Sequence, residues 1–221
     1  MQYVKQSNCD TSEANRKIRL LAELPPHLRS MAAFALATGL RDANIRGLQW
    51  NNVDLARRVA WVWPDEAKAG RAIGVPLNAD AVRILRAELG RHPTHVFTFA
   101  VADEHGKELR REPIAKRSNN TAWRKARVRA GFPALRWHDL RHAWATWHAR
   151  AGTPLMALQA LGGWSTPAMV QVYAHLAPRD LHRHAARISR HTPSHNRRRK
   201  AGVDEGIRTP NNRNHNPGLY R

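Results

Sequence analysis

The segment spanning residues 137–176 concentrates side chains that could act together on a phosphate. His138 and Arg141 lie three residues apart, which places both on one face of a helix. Trp164 and Tyr173 follow later in the segment and add an indole N–H and a phenol. A phosphoryl group needs hydrogen-bond donors and positive charge around it, and covalent transfer also needs a nucleophile. The segment supplies groups of both kinds.

Each of these residues also has a purely structural interpretation. A histidine–arginine pair on a helix is most often a solvated polar face, and Trp164 could simply pack in a core. Tyr173 shares an i, i+3, i+4, i+7 stripe with Met169, Val172 and Leu176, which is typical of a core tyrosine. Because short motifs often match by accident, the functional interpretation depends on the rest of the chain.

Helix-breaking residues divide the segment into the elements that must position these side chains. Glycines and prolines interrupt helices and mark turns. The sequence predicts helices over residues 139–151 and 155–161, a turn at Gly162 and Gly163, and a further helix from Pro167 past Tyr173. Pro178 begins a last predicted helix, over residues 179–189.

The formal net charge of +20, from 37 Lys and Arg against 17 Asp and Glu, indicates a polyanionic partner. No apolar run is long enough to span a bilayer, and the polar first residues predict no signal peptide. We therefore favour nucleic acid over a membrane; a basic binder without chemistry remains an alternative. A single cysteine, Cys9, fits a reducing cytoplasm, and scattered histidines without zinc spacing predict no metal.

The N-terminal part of the chain predicts two helices and a junction. The first helix begins near Thr11 or Ser12, and Pro25 and Pro26 end it and start a second helix that stops at Gly39. Arg41 follows at this junction, in the phrase TGLR. A buried charge requires a partner, so Arg41 is aimed either at a ligand or at a neighbouring carboxylate. The candidate carboxylates are Asp42 and Asp54.

The middle of the chain predicts a β-hairpin followed by two helices. Residues 57–63 and 71–77 read as paired strands, and the turn between them carries Lys68, which is either solvated or able to reach a bound duplex. Asn78 caps the next helix, whose predicted apolar positions are Ala81, Val82, Leu85 and Leu89. Residues 95–99 predict a short strand or an extended turn, and the polar residues 100–117 predict a loop.

A second helix of this region, over residues 119–130, is basic. Its positive charges suit contacts with phosphates, although an ordinary solvated face is an equal alternative. The residues concerned are Arg124, Lys125, Arg127 and Arg129. Taken together, the pattern predicts a mainly α chain with a small antiparallel β-sheet, an α+β fold. We expect disorder in residues 1–10, one folded domain over 11–190, and a basic disordered tail over 191–221.

Five short motifs now line up along the chain. They are TGLR with Arg41, the hairpin with Lys68, HDLRH with His138 and Arg141, LGGW with Trp164, and VYAHL with Tyr173. In this order and at these spacings they resemble the catalytic-domain signature of the tyrosine recombinases, or phage integrases. The resemblance covers roughly residues 20–185, and the ordered set is far more specific than any one motif.

The resemblance implies site-specific recombination of double-stranded DNA, as in the integration or excision of a mobile element. Tyr173 would attack a phosphate to give a 3′-phosphotyrosyl enzyme and a free 5′-hydroxyl. Arg41 and Arg141 would stabilise the charge on the phosphate oxygens. Trp164, where many relatives carry histidine, would donate its indole N–H to those oxygens or pack beneath them.

The remaining implied roles concern protons and assembly. His138 would accept the phenol proton, and Lys68 would protonate the leaving 5′-oxygen. Neither ATP nor a metal is needed, because the phosphotyrosine conserves the bond energy. The family works as a tetramer of identical subunits on two DNA sites, so we expect a homotetramer on DNA and no membrane partner.

Two departures from the family pattern qualify this expectation. Asn44 stands where many relatives carry glutamate. About twenty residues precede the first family-like helix, too few for the usual N-terminal core-binding domain. We therefore expect an isolated catalytic domain, a remnant or a fragment, with weak and salt-sensitive DNA binding. The alternatives are a non-catalytic DNA-binding remnant of an integrase and a type IB topoisomerase-like enzyme that relaxes supercoils.

Overall fold

The computed structural model describes residues 15–62, 72–114 and 120–177. Several predictions lie outside these residues: the terminal segments 1–10 and 191–221, the helix over 179–189, and the hairpin residue Lys68. They remain predictions.

The described residues form α-helices with two small antiparallel sheets. The helices are α1 (15–23), α2 (Pro26–Thr38), α3 (Asp42–Arg46), α4 (Ala79–Glu88), α5 (Asn120–Arg129), α6 (Asp139–Arg150), α7 (Leu155–Gly162) and α8 (Ala168–Gln171). The strands are β1 (Val53–Asp54), β2 (Val59–Val62), β3 (Ile73–Pro76), β4 (Thr98–Ala102) and β5 (Glu108–Pro113). Short 3-10 helices cover Trp50–Asn52 and Ala174–Leu176. The predicted fold class, mainly α with a small antiparallel sheet, is confirmed.

Helix α2 is the central element of the described core. It begins at Pro26, where a missing N–H costs nothing. It ends at Gly39, whose φ of 68° is the left-handed conformation that favours glycine at a helix end. The Gly39 N–H donates to the Ala35 carbonyl over 2.8 Å. Helices α3, α4 and α6 all pack against α2, so the residues that follow Gly39 emerge beside α6.

The predicted hairpin between residues 57 and 77 is confirmed in its strands. Strand β2 pairs antiparallel with both β1 and β3, and Ala60 lies opposite Val75 in the register. Ala60, Val62 and Val75 are buried, while Trp61 and Gly74 are more exposed, as the alternation of the sequence predicts. Asn78 caps α4 by accepting a hydrogen bond from the Ala81 N–H, also as predicted.

The prediction of a loop over residues 100–117 is wrong for the described residues 100–113. Strands β4 and β5 form a second hairpin there, with Phe99 opposite Glu112. Both strands are largely exposed and β5 is charged, so no alternation of apolar residues marks them in the sequence. A polar turn holds the hairpin together, because the Asp103 carboxylate accepts hydrogen bonds from the His105 and Lys107 N–H groups.

The region around Tyr173 also departs from the predicted continuous helix. Helix α8 ends at Gln171, and Tyr173 stands at the start of a 3-10 helix. The predicted apolar stripe is buried only in part: Met169 is 45% exposed and Val172 60% exposed, whereas Val170, outside the stripe, is 1% exposed. Tyr173 itself is 6% exposed and therefore buried, as the structural alternative required.

Two clusters of apolar side chains stabilise the described part of the chain. The larger combines residues of α2, α4, the three-stranded sheet and α5. The smaller joins α6, α7 and α8, and its buried members are Trp144, Ala145, Ala149, Leu158, Val170 and Tyr173. The side chain of Tyr173 is thus anchored in this smaller cluster.

We predict that Gly39→Ala destabilises the protein by about 2–5 kcal/mol. A Cβ at Gly39 would lie 2.3 Å from Trp144 Cε3, in addition to the cost of a left-handed alanine. The matched control is Gly90→Ala, which also has a positive φ but no atom within 4 Å of the added Cβ. The control should lose only about 1 kcal/mol. Equal losses of unfolding free energy in urea would show that contact with Trp144 contributes nothing.

Candidate active site

Arg141 is a buried cation at the centre of the site, with a side chain that bonds to two helix ends. The residue is 4% exposed and lies on the first turn of α6. Its Nη1 donates to the Gly39 carbonyl over 2.7 Å, and its Nη2 donates to the Gly162 carbonyl over 2.6 Å. These carbonyls belong to the ends of α2 and α7, where helix carbonyls lack intrahelical partners and carry negative partial charge. The two bonds fix the plane of the guanidinium.

Trp164 packs on this guanidinium. The Arg141 Cζ lies 4.1 Å from the centroid of the Trp164 ring, a cation–π arrangement. Gly162 makes the contact possible, because a Cβ at that position would lie 2.1 Å from the indole. Gly163 then reverses the chain with a φ of 62°. Both glycines of LGGW are therefore explained: Gly162 leaves room for the indole, and Gly163 adopts a left-handed conformation.

Tyr173 completes this assembly in the same chain. Its ring centroid lies 6.2 Å from that of Trp164, and its hydroxyl oxygen is 2.6 Å from His142 Nδ1. Burial raises the pKa of Tyr173, and the nearby Arg141 charge opposes that rise. The phenol is therefore protonated at neutral pH, so attack by its oxygen would require a base to take the proton, while the Arg141 charge favours the phenolate.

His138 stands at the N-terminal end of α6; the residue is exposed overall, but its ring is partly covered. Its ring meets the His142 ring edge to face, with centroids 4.8 Å apart. Burial lowers the pKa of His138, and His142 and Arg141 lower it further. The imidazole is therefore neutral near pH 7 and able to accept a proton. Within the described residues, however, the hydroxyl of Tyr173 bonds to His142 rather than to His138.

Arg41 lies across a small cleft from Arg141. It is the N-cap residue of α3, and Leu161, Gly162 and Asn44 line the same cleft. The two carboxylates suggested as alternative partners pair elsewhere. Asp42 Oδ2 lies 2.7 Å from Arg46 Nε, and Asp54 pairs with Arg57. The structure thus brings both predicted arginines to one cleft, beside the turn that carries Trp164.

The basic residues of α5 divide into two groups. Arg127 donates to the Leu135 carbonyl, and Arg129 bonds to both the carboxylate and the carbonyl of Glu23. These two guanidinium groups tie α5 to neighbouring segments. Arg124 and Lys125 are exposed. Of the four residues predicted to contact DNA, only this second pair has a side chain that faces solvent without such a structural role in the described part of the chain.

His142 is the site residue that sequence reasoning missed. It is the second histidine of HDLRH, next to Arg141 and four residues after His138. The i, i+4 spacing places it on the same helix face as His138, and this was the available signal. In the structure it links His138 to Tyr173.

The described residues offer neither a membrane helix nor a metal cluster. Along those ranges, no helix combines the length and apolar character needed to cross a bilayer. Nor do three or more His, Cys, Asp or Glu side chains gather there in a way that could hold a metal ion.

This chain is similar in sequence to a known family and to individual proteins. The phage integrase family matches residues 9–180. The integrase of Salmonella phage P22 is 42% identical over 179 residues, which cover 80% of this chain and 46% of that protein. The tyrosine recombinase XerC of Xanthomonas campestris pv. campestris is 30% identical over 174 residues, or 76% of this chain and 50% of that protein. The chain spans about half the length of these curated relatives.

Among solved structures, the catalytic domain of bacteriophage HP1 integrase has the same fold. It matches with a TM-score of 0.56 at 22% identity, covering 77% of this chain and 90% of that domain. The similarity therefore extends over nearly all of a separately solved domain.

We predict that the ring protons of His138 titrate with a midpoint below about 6.5, the value of a free histidine. His142→Gln should move this midpoint upward, because it removes one of the charges that disfavour protonation of His138. Proton NMR titration, with the signal assigned from the spectrum of His138→Gln, measures both effects. A midpoint above 6.5 in the parental protein would contradict the prediction.

The same shift has a consequence for stability. A lowered pKa in the folded state means that the unfolded chain binds the proton more readily. The contribution of His138 to the unfolding free energy is therefore complete above about pH 6.5 and is lost as the pH falls through the folded-state pKa. Denaturant titrations between pH 5 and 8 should give a shallower acid decline for His138→Gln.

Proposed function

The chain belongs to the phage integrase family, and from this we propose that it breaks and rejoins double-stranded DNA at specific sites with Tyr173 as the nucleophile. The biological outcome would be the integration or excision of a mobile element. One observation carries the proposal: within one chain, the Arg141 guanidinium packs on the Trp164 ring, and the Trp164 ring lies beside that of Tyr173. Arg41 lines the same cleft as Arg141.

The proposed cleavage step follows from the chemistry of these groups. The Tyr173 oxygen attacks the phosphorus, and the bond from phosphorus to the 5′-oxygen breaks. Arg41 and Arg141 stabilise the charge that grows on the nonbridging oxygens, for which preorganised cations are effective. The phenol proton leaves to an imidazole, and Lys68 gives a proton to the departing 5′-oxygen.

Rejoining reverses these steps. A 5′-hydroxyl attacks the phosphotyrosine, which has kept the energy of the original phosphodiester, so neither ATP nor a metal takes part. Attack by a hydroxyl from a second duplex exchanges strands. We propose that four copies of the protein hold two DNA sites for this exchange.

The proposal that DNA is the substrate is supported by charge. The net charge of +20 creates a long-range attraction for a polyanion. Exposed Arg124 and Lys125 on α5 could contribute directly through contacts with backbone phosphates, each of which releases counterions. A site built from Arg41 and Arg141 has the donors to bind one further phosphate.

We predict that Tyr173→Phe abolishes the covalent adduct with a nicked suicide DNA substrate and leaves DNA affinity within about twofold. The substitution removes only the attacking oxygen and keeps the ring in the buried cluster. Gel analysis of denatured protein–DNA mixtures measures the adduct, and anisotropy measures binding.

The control is Met169→Leu, an exposed residue of α8, which should form the adduct at the parental rate. An adduct that persists in Tyr173→Phe would refute the assignment of the nucleophile. Salt-dependent binding without any adduct from the parental chain would instead indicate a DNA-binding protein without catalysis.

We also predict that Arg124→Ala combined with Lys125→Ala reduces the salt dependence of DNA binding. Loss of two phosphate contacts should lower the slope of log K against log salt by about 2. Arg129→Ala is the contrast, because removing the partner of Glu23 should lower stability rather than change the slope. An unchanged slope in the double variant would show that α5 does not face DNA.

A further inference from the structure

The closest polar contact of the Tyr173 hydroxyl comes from a residue with no role in the scheme above. His142 Nδ1 lies 2.6 Å from the phenol oxygen, within the range of a direct proton transfer. The contact joins residues 31 positions apart, on α6 and beyond α8. Tyr173 is anchored by burial in the cluster of α6, α7 and α8, so the pairing does not depend on an exposed, freely rotating side chain.

A proton can pass from the phenol to His142 only if the hydroxyl donates to Nδ1. Burial raises the pKa of Tyr173, so the phenol carries a proton that it can donate. A neutral imidazole has one acceptor nitrogen. The inference therefore requires the His142 tautomer with its ring proton on Nε2.

We propose that His142 is the catalytic base that takes the proton from Tyr173 as the phenol oxygen attacks the DNA phosphate. The inference rests on the proposed function and names the imidazole that serves it. As the bond from oxygen to phosphorus forms, the proton passes to Nδ1, and the bond to the 5′-oxygen breaks with Lys68 supplying the proton of the leaving hydroxyl. During rejoining, Nδ1 returns its proton to the phenolate.

Charged and titratable groups surround His142. The Asp139 carboxylate attracts a positive charge on His142. Although burial raises the pKa of Asp139, the bonds from Arg136 lower it by more, so the carboxylate stays ionised. The His138 ring meets the His142 ring edge to face, with centroids 4.8 Å apart. In this proposal His138 therefore acts as a positioning residue.

The first test measures single-turnover formation of the covalent adduct by the full chain on a nicked suicide substrate. His142→Asn places an amide where Nδ1 lies and preserves a hydrogen bond to the phenol, but an amide is not a base at neutral pH. We expect the adduct rate to fall about 10²- to 10⁴-fold with DNA affinity unchanged. Added imidazole should partly restore His142→Ala.

A substrate with sulfur in place of the 5′-bridging oxygen separates base from acid. Its thiolate leaves without a proton, so the substrate should restore cleavage by Lys68→Ala but not by His142→Asn. A rate for His142→Asn within about threefold of the parental rate, or rescue of this variant by the sulfur substrate, would overturn the inference while the proposed function stands. Absence of any adduct from the parental chain would overturn both.

The second test needs no DNA. Nitrogen NMR of the histidine rings at pH 7.5, assigned with His142→Asn, distinguishes a bare Nδ1 from a protonated one. We expect a bare Nδ1 on His142 in the parental protein and a changed Nδ1 resonance in Tyr173→Phe, which lacks the donor. A protonated Nδ1 would overturn the inference, because that nitrogen would then be donating to the phenol.

Discussion

A single buried guanidinium, that of Arg141, determines the arrangement of the site. A charge removed from water is costly unless hydrogen bonds and opposite charge replace its hydration. The ends of α2 and α7 supply this replacement through the Gly39 and Gly162 carbonyls. Each of these carbonyls lies at a helix C-terminus, where no backbone N–H of the same helix is available to it. The guanidinium and the two helix-end carbonyls therefore satisfy each other's hydrogen-bonding groups. These two hydrogen bonds fix the distance between α2 and α7, which are far apart in the sequence.

The glycines at these helix ends serve a second purpose. Gly39 admits the ring of Trp144 and Gly162 admits that of Trp164, each at a distance that no side chain would permit. The two indoles are 6.1 Å apart and inclined by 31°, so they form a short aromatic layer beside the guanidinium. Tyr173 packs on this layer. The position of the phenol thus depends on two residues that have no side chain.

Much of this arrangement could be predicted from the sequence, because helix ends and hairpins leave local signals. Pro26 and Gly39 bound α2 as expected, and Asn78 caps α4. The β4–β5 hairpin left no such signal, since its exposed, charged strands lack the alternation that burial imposes. The stripe through Met169 and Val172 misled for a different reason: α8 turns Val170 rather than Met169 inward, and the helix that the stripe assumed ends at Gln171.

For the site itself, the ordered motifs identified residues but not their contacts. The family resemblance assigned the phenol proton to His138, whereas the structure puts His142 against the hydroxyl. Spacing shows only that both histidines share a face of α6. Which of them meets Tyr173 depends on how the 3-10 helix that follows Tyr173 packs on α6, and no local feature of the sequence encodes this. The same limit applies to α5, where only the folded chain separates the arginines bound to Glu23 and Leu135 from the solvated pair.

The dual attachment of Arg141 has a consequence for how such a protein can lose its activity. In a gene for this chain that drifts without selection, replacement of this arginine would destabilise the fold, because it would leave one buried and one partly buried carbonyl without a hydrogen-bond donor. Inactive variants that still fold should therefore retain Arg141 and have their inactivating substitutions elsewhere, at Tyr173 or at the more accessible Arg41. If a degraded mobile element keeps this arginine, its presence would therefore indicate that the protein folds, and not that the enzyme is active.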